Sequence, residues 1–118
     1  MLNVAHVEKV YLAQGNTALR KSIDGLAILV QEAFELDPFS PCLFVFCNRK
    51  RDKVKILQWD HNGFWLHYRR LEKGTFEWPA DDGASVMPVS RRQFRWLMDG
   101  LPLHQREAHR AVHARTLI

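Results

Sequence analysis

The chain has 118 residues, of which 47% are hydrophobic and 11% aromatic, a composition that excludes a disordered tail and is typical of a folded globular protein. Lysine and arginine number 17 against 13 acidic residues, so the net charge is +4; this is compatible with a nucleic-acid partner without demonstrating one. A chain of this length predicts one domain with a single core.

Membrane and export classes are not favoured by the sequence. No apolar run approaches the length of a membrane span. Glu8 and Lys9 stand where a signal peptide would be apolar. Cys42 and Cys47 lie five apart in one apolar run, so on a strand they would point to opposite faces and could not bond to each other. Unpaired thiols fit a reducing compartment, and we expect a cytoplasmic protein.

The first forty residues predict a strand followed by a helix. Residues 4–12 alternate loosely and are rich in β-branched and aromatic side chains, which favours a short strand. Apolar residues then recur at helical spacing from Ile23 to Phe34, with Ser22 as the N-cap and Pro38 beyond the end.

A basic pair, Arg20 and Lys21, directly precedes this helix. An anion bound there would meet two cations, the free backbone N–H groups and the positive end of the helix dipole. The alternative is a solvated pair that only flanks the helix.

Residues 42–47 are apolar at every position and predict a central strand. A polar turn of high positive charge follows, and Lys55 and Arg70 would lie close to the same end of the next hairpin. The turn either keeps a loop tip soluble or contacts a phosphate backbone. Its four cations are Arg49, Lys50, Arg51 and Lys53.

Two antiparallel strands, residues 53–60 and 64–70, are predicted around a tight turn at Asn62-Gly63. Residues 75–78 predict a third strand that Pro79 ends. Alternation gives the hairpin a core face and a mixed face. The core face carries Leu57, Trp59, Phe64, Leu66 and Tyr68.

Trp65, His67 and Arg69 follow one another along the mixed face. They are either a half-covered part of the sheet or a contact surface, in which a ring stacks and a guanidinium grips phosphate.

The second helix begins at Ser90, which forms a predicted capping box with Gln93. Arg91 and Arg92 occupy the helix end where cations are disfavoured, and Arg95 repeats the charge one turn later. These arginines are either presented to a partner or solvated and paired with nearby acids.

Catalytic and metal-binding motifs are absent from the sequence: it has no Gly-rich phosphate loop, HExxH motif or CxxC pair. Asp81 and Asp82 fit a turn better than a metal site, and His109 with His113 lacks a partner ligand at useful spacing. We therefore predict no metal, no cofactor and no enzymatic activity.

The predicted fold is α+β, an antiparallel sheet of about four to five strands (a meander around hairpin 53–70) packed by two helices. The domain spans residues 1–101, and residues 102–118 form a weakly structured or helical tail.

Several uncommon features occur in the order seen in one known family. They are Arg20-Lys21 before Ile23-Asp24-Gly25-Leu26, then Phe44 and Phe46, Lys55, Trp59-Asp60, Gly63-Phe64, Arg70-Leu71-Glu72, Gly74, Phe76 and Trp78-Pro79. Over about residues 4–101 the chain resembles the accessory protein of insertion-sequence family sixty-six, the product of the second open reading frame, commonly called TnpB. It departs from the family at Ala18 and Ser22, usually aspartate and glycine, and after Leu101, where the usual Trp-containing ending is missing.

The resemblance implies a non-catalytic bacterial transposition protein that acts with a separate DDE transposase and another accessory protein, with no small-molecule substrate. Under this interpretation DNA is the first candidate ligand, and the alternative is a module that binds the transposase or another accessory protein without DNA affinity of its own. The predicted nucleic-acid contacts are Arg20, Lys21, Arg49, Lys50, Arg51, Lys53, Lys55 and Arg70. The predicted partner contacts are Trp65, His67, Arg69, Arg91, Arg92 and Arg95.

Overall fold

The computed structural model describes residue 2 and residues 4–103. In chain order its elements are β1 (Lys9–Ala13), α1 (Ile23–Glu32), β2 (Cys42–Cys47), β3 (Lys53–Asp60), β4 (Gly63–Arg70), β5 (Val86–Val89) and α2 (Arg91–Met98). The strands form one sheet in the order β4-β3-β2-β1-β5. The predicted α+β class, with about four to five strands and two helices, is confirmed. The predicted tail and its histidine pair lie outside the described residues.

One strand pair departs from the predicted antiparallel arrangement. β1 and β2 are parallel, whereas the other pairings of the described sheet are antiparallel. Parallel neighbours need a crossover connection, and here α1 provides it. Because of this crossover, the carboxyl ends of β1 and β2 meet at the same edge of the sheet.

The central strand β2 is buried along its whole length, as its apolar sequence predicts. On one side of the sheet, Phe44 and Phe46 pack with Leu26 and Val30 of α1. On the other side, Leu43 and Val45 belong to a second cluster that includes α2. The two cysteines lie in different clusters, which confirms the prediction that they face opposite ways. Burial raises the pKa of the Cys47 thiol to about 12, so this thiol stays protonated.

The central hairpin has the predicted two faces, since Leu57 pairs with Leu66 and Ile56 pairs with His67. The predicted turn is wrong by one residue. Asp60 pairs with Gly63, so His61 and Asn62 form the loop, and His61 takes the positive φ of 57°. The prediction that Tyr68 belongs to the core is wrong. Its side chain is 54% exposed, because it lies on the outer strand near the end of the sheet.

The predicted strand at residues 75–78 is wrong. This segment crosses the second face of the sheet without pairing in it, and Phe76 and Trp78 fill the core there. The backbone N–H of Phe76 donates to Arg51, and the Trp78 indole donates to the last carbonyl of β1, at Ala13. The fifth strand is β5 instead, a four-residue edge strand containing Pro88.

Both helices begin at the predicted residues. Ser90 and Gln93 form the predicted reciprocal capping box of α2. Ser22 is the N-cap of α1, although its side chain makes no capping hydrogen bond in the described structure. The first backbone N–H groups of α1 therefore have no side-chain acceptor from the N-cap residue, whereas α2 has one in Ser90.

Candidate nucleic-acid interface

The predicted phosphate contacts converge on one edge of the sheet. The loop after β1 leads into α1, the turn after β2 leads into β3, and β4 ends beside the start of β3. The backbone N–H of Thr17 donates to the carbonyl of Cys47, which fastens the first loop to the end of β2. We call the resulting cationic surface the basic edge; it consists of Arg20, Lys21, Arg49, Lys50, Arg51, Lys53, Lys55 and Arg70.

The turn from β2 to β3 is held by the side chain of Asn48. Its Oδ1 accepts the backbone N–H groups of Asp52 and Lys53 at 3.1 and 2.9 Å. Its Nδ2 donates to the Asp52 carboxylate at 2.7 Å. This hydrogen bond is the main reason that the pKa of Asp52 lies below its usual value. Sequence reasoning missed Asn48, although asparagine at the start of a polar turn commonly organises the backbone in this way.

The same turn is supported from behind by the chain that follows β4. The backbone N–H of Phe76 donates to the Arg51 carbonyl at 2.7 Å, and that of Leu71 donates to the Asp52 carbonyl at 2.8 Å. Arg51 has a φ of 62°, the left-handed conformation that the tight turn requires. The side chains of Arg49, Lys50 and Arg51 are exposed on this fixed backbone. The turn therefore presents three cations with little backbone freedom.

Two of the remaining cations are partly neutralised by neighbouring carboxylates. The ammonium of Lys53 lies 3.9 Å from the Asp52 carboxylate. The Nε of Arg70 donates to Glu72 at 2.7 Å, and this hydrogen bond raises the pKa of Arg70 further. Both pairs are solvent-accessible, so each attraction is weak.

Lys55 connects the start of α1 to the basic edge. Its Nζ donates to the backbone carbonyl of Lys21 at 3.4 Å, so the Lys55 ammonium lies against the backbone that leads into α1. The side chain of Lys21 passes over Gly25 in the first turn of α1, where an added Cβ would lie 3.4 Å from the Lys21 Cβ. Asp24 stands in the same helical turn and opposes their charge.

The acidic loop at residues 81–84 approaches the basic edge from the other side. Asp81 and Lys21 line the same 300 Å³ depression. The Asp81 carboxylate accepts the backbone N–H groups of Gly83 and Ser85 at 2.9 and 3.2 Å, and Asp82 accepts that of Ala84 at 3.0 Å. The two aspartates are turn formers, as predicted, and they limit the positive field on this side.

The predicted partner contacts lie apart from the basic edge and do not form one surface. Trp65 and His67 line a groove of about 570 Å³ at the opposite end of the hairpin. Trp65 is 57% exposed, donates to Asp60 at 3.1 Å and stacks on the His67 ring. His67 contacts Gln58 at 3.0 Å, and burial lowers its pKa. We call this surface the aromatic groove.

The arginines of the second group have mixed roles. Arg69 donates to the carbonyl of Met98 at the end of α2 at 3.2 Å, and Arg91 donates to the Val4 carbonyl at 3.3 Å. These two side chains tie elements of the fold together. Arg92 and Arg95 are exposed on α2. The structure therefore places only Trp65 and His67 of the predicted partner contacts in a shared concave site.

Within residues 2 and 4–103, no three histidine, cysteine or acidic side chains are grouped so that they could hold a metal ion. Over the same part of the chain, no helix is long and apolar enough to cross a membrane.

The fold and its surface define a small α+β domain that presents a rigid cationic edge and a separate aromatic groove, features of a binding protein. The chain belongs to the IS66 Orf2-like family, whose model matches residues 8–108. The family places it among the accessory proteins of IS66 insertion sequences, in agreement with the resemblance noted in the sequence.

Two curated relatives from Sinorhizobium fredii (strain NBRC 101917 / NGR234) are similar over most of their length. The uncharacterized protein y4hO is 34% identical over 93 residues, which cover 79% of this chain and 80% of the relative. The uncharacterized protein y4jC is 32% identical over 94 residues, which cover 79% of each chain. No solved structure matches the chain.

Proposed function

We propose that this protein binds DNA in the transposition complex and has no catalytic role of its own. The observation that supports the proposal is that cations from separate stretches of the chain lie where β2 and β4 end and α1 begins. These residues come from three separate stretches of the chain, residues 20–21, 49–55 and 70, and the parallel pairing of β1 with β2 gathers the first two stretches at one place.

The rigidity of the β2–β3 turn supports the same proposal. Three exposed cations lie on a backbone that side-chain and backbone hydrogen bonds fix in place. A surface ordered before binding loses less conformational entropy when it meets a ligand. Lysine and arginine side chains that contact phosphates release condensed counterions, so this binding should depend strongly on salt and weakly on sequence.

The test is fluorescence anisotropy of the purified protein with a labelled terminal repeat of its own element and with a scrambled duplex, over a salt series. Replacing Arg49, Lys50 and Arg51 by alanine should reduce the slope of log K against log salt by about 2.7, since each phosphate contact contributes about 0.9. Affinity at low salt should fall by more than about tenfold.

A matched control removes the same charge outside the basic edge, by replacing Lys9, Arg92 and Arg95, all exposed, with alanine. This control should keep most of the affinity and of the salt slope. Equal losses in both triple variants would show that net charge alone drives binding. Absence of binding at low salt would contradict the proposal that this protein binds DNA.

The aromatic groove supports a second candidate function, docking of the transposase. A tryptophan exposed over more than half of its surface at the rim of a concave site is typical of a protein-binding hot spot. Such an interface would tolerate salt, which distinguishes it from the basic edge.

A further inference from the structure

The two outer strands of the sheet differ in how they are protected against pairing with another chain. β5 is four residues long and contains Pro88, which removes one backbone donor from that edge. β4 is eight residues long and contains no proline. In the described structure, its outer side has no strand partner.

The outward-facing backbone groups of β4 can be assigned from the ladder. Leu71 donates to Asp52 and Asn48 donates to the carbonyl of Lys53, which fixes the alternation of hydrogen bonds along β3. Even-numbered residues of β3 therefore bond to the odd-numbered residues of β4. The even-numbered residues of β4 direct their N–H and C=O groups away from the sheet; they are Phe64, Leu66, Tyr68 and Arg70.

We propose that β4 pairs with β4 of a second copy of this chain, antiparallel and centred on Leu66, to make a continuous ten-stranded sheet. In this register Leu66 lies opposite the same residue of the second copy, and Phe64 lies opposite Tyr68. Every such pair joins two residues whose backbone groups face outward. A register shifted by one residue would oppose outward to inward groups, so the strand is complementary to itself.

Side chains fit this register on both faces of the sheet. Trp65 of one copy lies opposite His67 of the other on one face, and Phe64 lies opposite Tyr68 on the other face. Trp65 and Tyr68 are 57% and 54% exposed, and aromatic pairs directly opposite each other stabilise antiparallel strands. Pairing would cover part of each of the two large side chains that β4 leaves exposed, and Trp65 would still line the aromatic groove.

The charge of β4 favours the antiparallel direction. Arg69 and Arg70 stand together at its carboxyl end, and Asp60 lies beside its amino end. Parallel pairing would place four guanidinium groups together. Antiparallel pairing places each arginine pair beside the turn that carries the second copy's aspartate. Arg69 and Arg70 keep their existing bonds to Met98 and Glu72, because they would lie opposite Gly63 and Asn62.

This arrangement has a consequence for DNA that rests on the proposed function. The basic edge lies at the carboxyl end of β4, so the two-fold axis places the two basic edges at opposite ends of the paired strands. Eight residues of strand span about 27 Å. The dimer would therefore hold two DNA segments apart from each other, as needed to bring two ends of an element into one complex.

The test is sedimentation of the full chain over a concentration range. Because no DNA is present, the result for dimerisation does not depend on whether the protein binds DNA. Leu66→Pro removes an outward N–H and no bond to β3, so it should weaken dimerisation at least about tenfold. The control Leu66→Ala loses the side chain but keeps the amide and should remain largely dimeric.

A second variant reports on the register even if Leu66→Pro folds poorly. With oxidised glutathione added as the oxidant, Leu66→Cys should form an intermolecular disulfide across the axis, because opposed strand residues lie about 5.5 Å apart at Cα, within disulfide range. Ile28→Cys, 53% exposed on α1, is the control and should cross-link far less. A monomer at all concentrations would overturn the proposal. So would a dimer that Leu66→Pro does not weaken and Leu66→Cys does not cross-link.

Discussion

The two ends of the central hairpin are built in different ways. At one end, the β2–β3 turn is fixed by hydrogen bonds of Asn48 and of the backbone, and it presents cations. At the other end, Trp59, Phe64 and Phe39 form a cluster of rings with centroids 4.9 to 5.4 Å apart, beside the aromatic groove. Polar geometry fixes the first end and ring packing fixes the second.

This difference indicates how one small domain can offer two surfaces without conflict. A charged ligand is bound best by groups whose positions are fixed before binding. An apolar partner is bound by large rings at the rim of a groove, where packing contributes the binding energy. Each end of the hairpin has the type of support that its proposed ligand requires, and mutations at the two ends should separate the two activities.

The largest effect is expected at the basic edge, from Asn48→Ala. Loss of the three side-chain hydrogen bonds leaves part-buried polar groups unpaired, which should reduce the free energy of unfolding by about 2 kcal/mol. DNA affinity should fall as well, although no cation is removed, because the turn loses its fixed shape. Chemical denaturation and anisotropy measure the two effects.

Asn62→Ala is the matched control for this variant, because Asn62 lies in the other tight turn of the hairpin. Its side chain has no recorded hydrogen bond among the described residues, so both the stability and the affinity should change little. Equal effects of the two asparagine substitutions would contradict the assigned role of Asn48.

A smaller and more selective effect is expected at the other end, from Trp65→Ala. Loss of a rim tryptophan should weaken transposase binding by about 1–2 kcal/mol, or roughly 5- to 30-fold. DNA affinity should be unchanged. Pull-down or calorimetric titration with the transposase, with the oligomeric state measured in the same samples, tests this. Weaker DNA binding with intact transposase binding would reverse the assignment of the two ends.

The smallest effect is a pH dependence of stability from His67. Burial lowers the pKa of this imidazole in the folded state below 6.5, so the unfolded state binds the proton more readily. The contribution of neutral His67 to the free energy of unfolding is therefore fully present above pH 6.5, and it decreases as the pH falls from 6.5 towards the folded-state pKa. Urea midpoints at pH 8 and pH 5 should differ less for His67→Gln than for the parent chain.

His6→Gln, at an exposed position on the same groove, is the control for the pH series. It should leave the difference between the two midpoints as large as in the parent chain. A His67→Gln variant with an unchanged pH response would show that other groups dominate the acid sensitivity.

Local sequence signals predicted much of the fold. The β2 strand, the two faces of the hairpin, the helix starts and the capping box at Ser90 follow from patterns that span a few residues. The parallel pairing of β1 with β2 could not be predicted in this way, because a partner strand is chosen by contacts across the whole chain. β5 escaped detection because it has four residues and a proline, and residues 75–78 have strand-like residues that fill the core instead.

The candidate site was predicted only in part, because local reasoning groups residues that are close in sequence and not those that the fold brings together. The cations of the β2–β3 turn, with Lys55 and Arg70, are neighbours along one hairpin, and local reasoning grouped them. Arg20 and Lys21 appeared to be a separate site at a helix start. Only the crossover through α1 brings the start of that helix to Lys55, which bonds the Lys21 carbonyl.

Arg51 shows how conformational preference and charge oppose each other at this surface. Its φ of 62° lies in the region where glycine is unstrained and a side chain raises the energy by about 1 kcal/mol or more. The residue that would suit the turn best carries no charge, whereas the residue present adds a cation to the basic edge. Under the proposed function, position 51 is therefore a stability–function trade-off, in which a better-folded turn would bind phosphate less well.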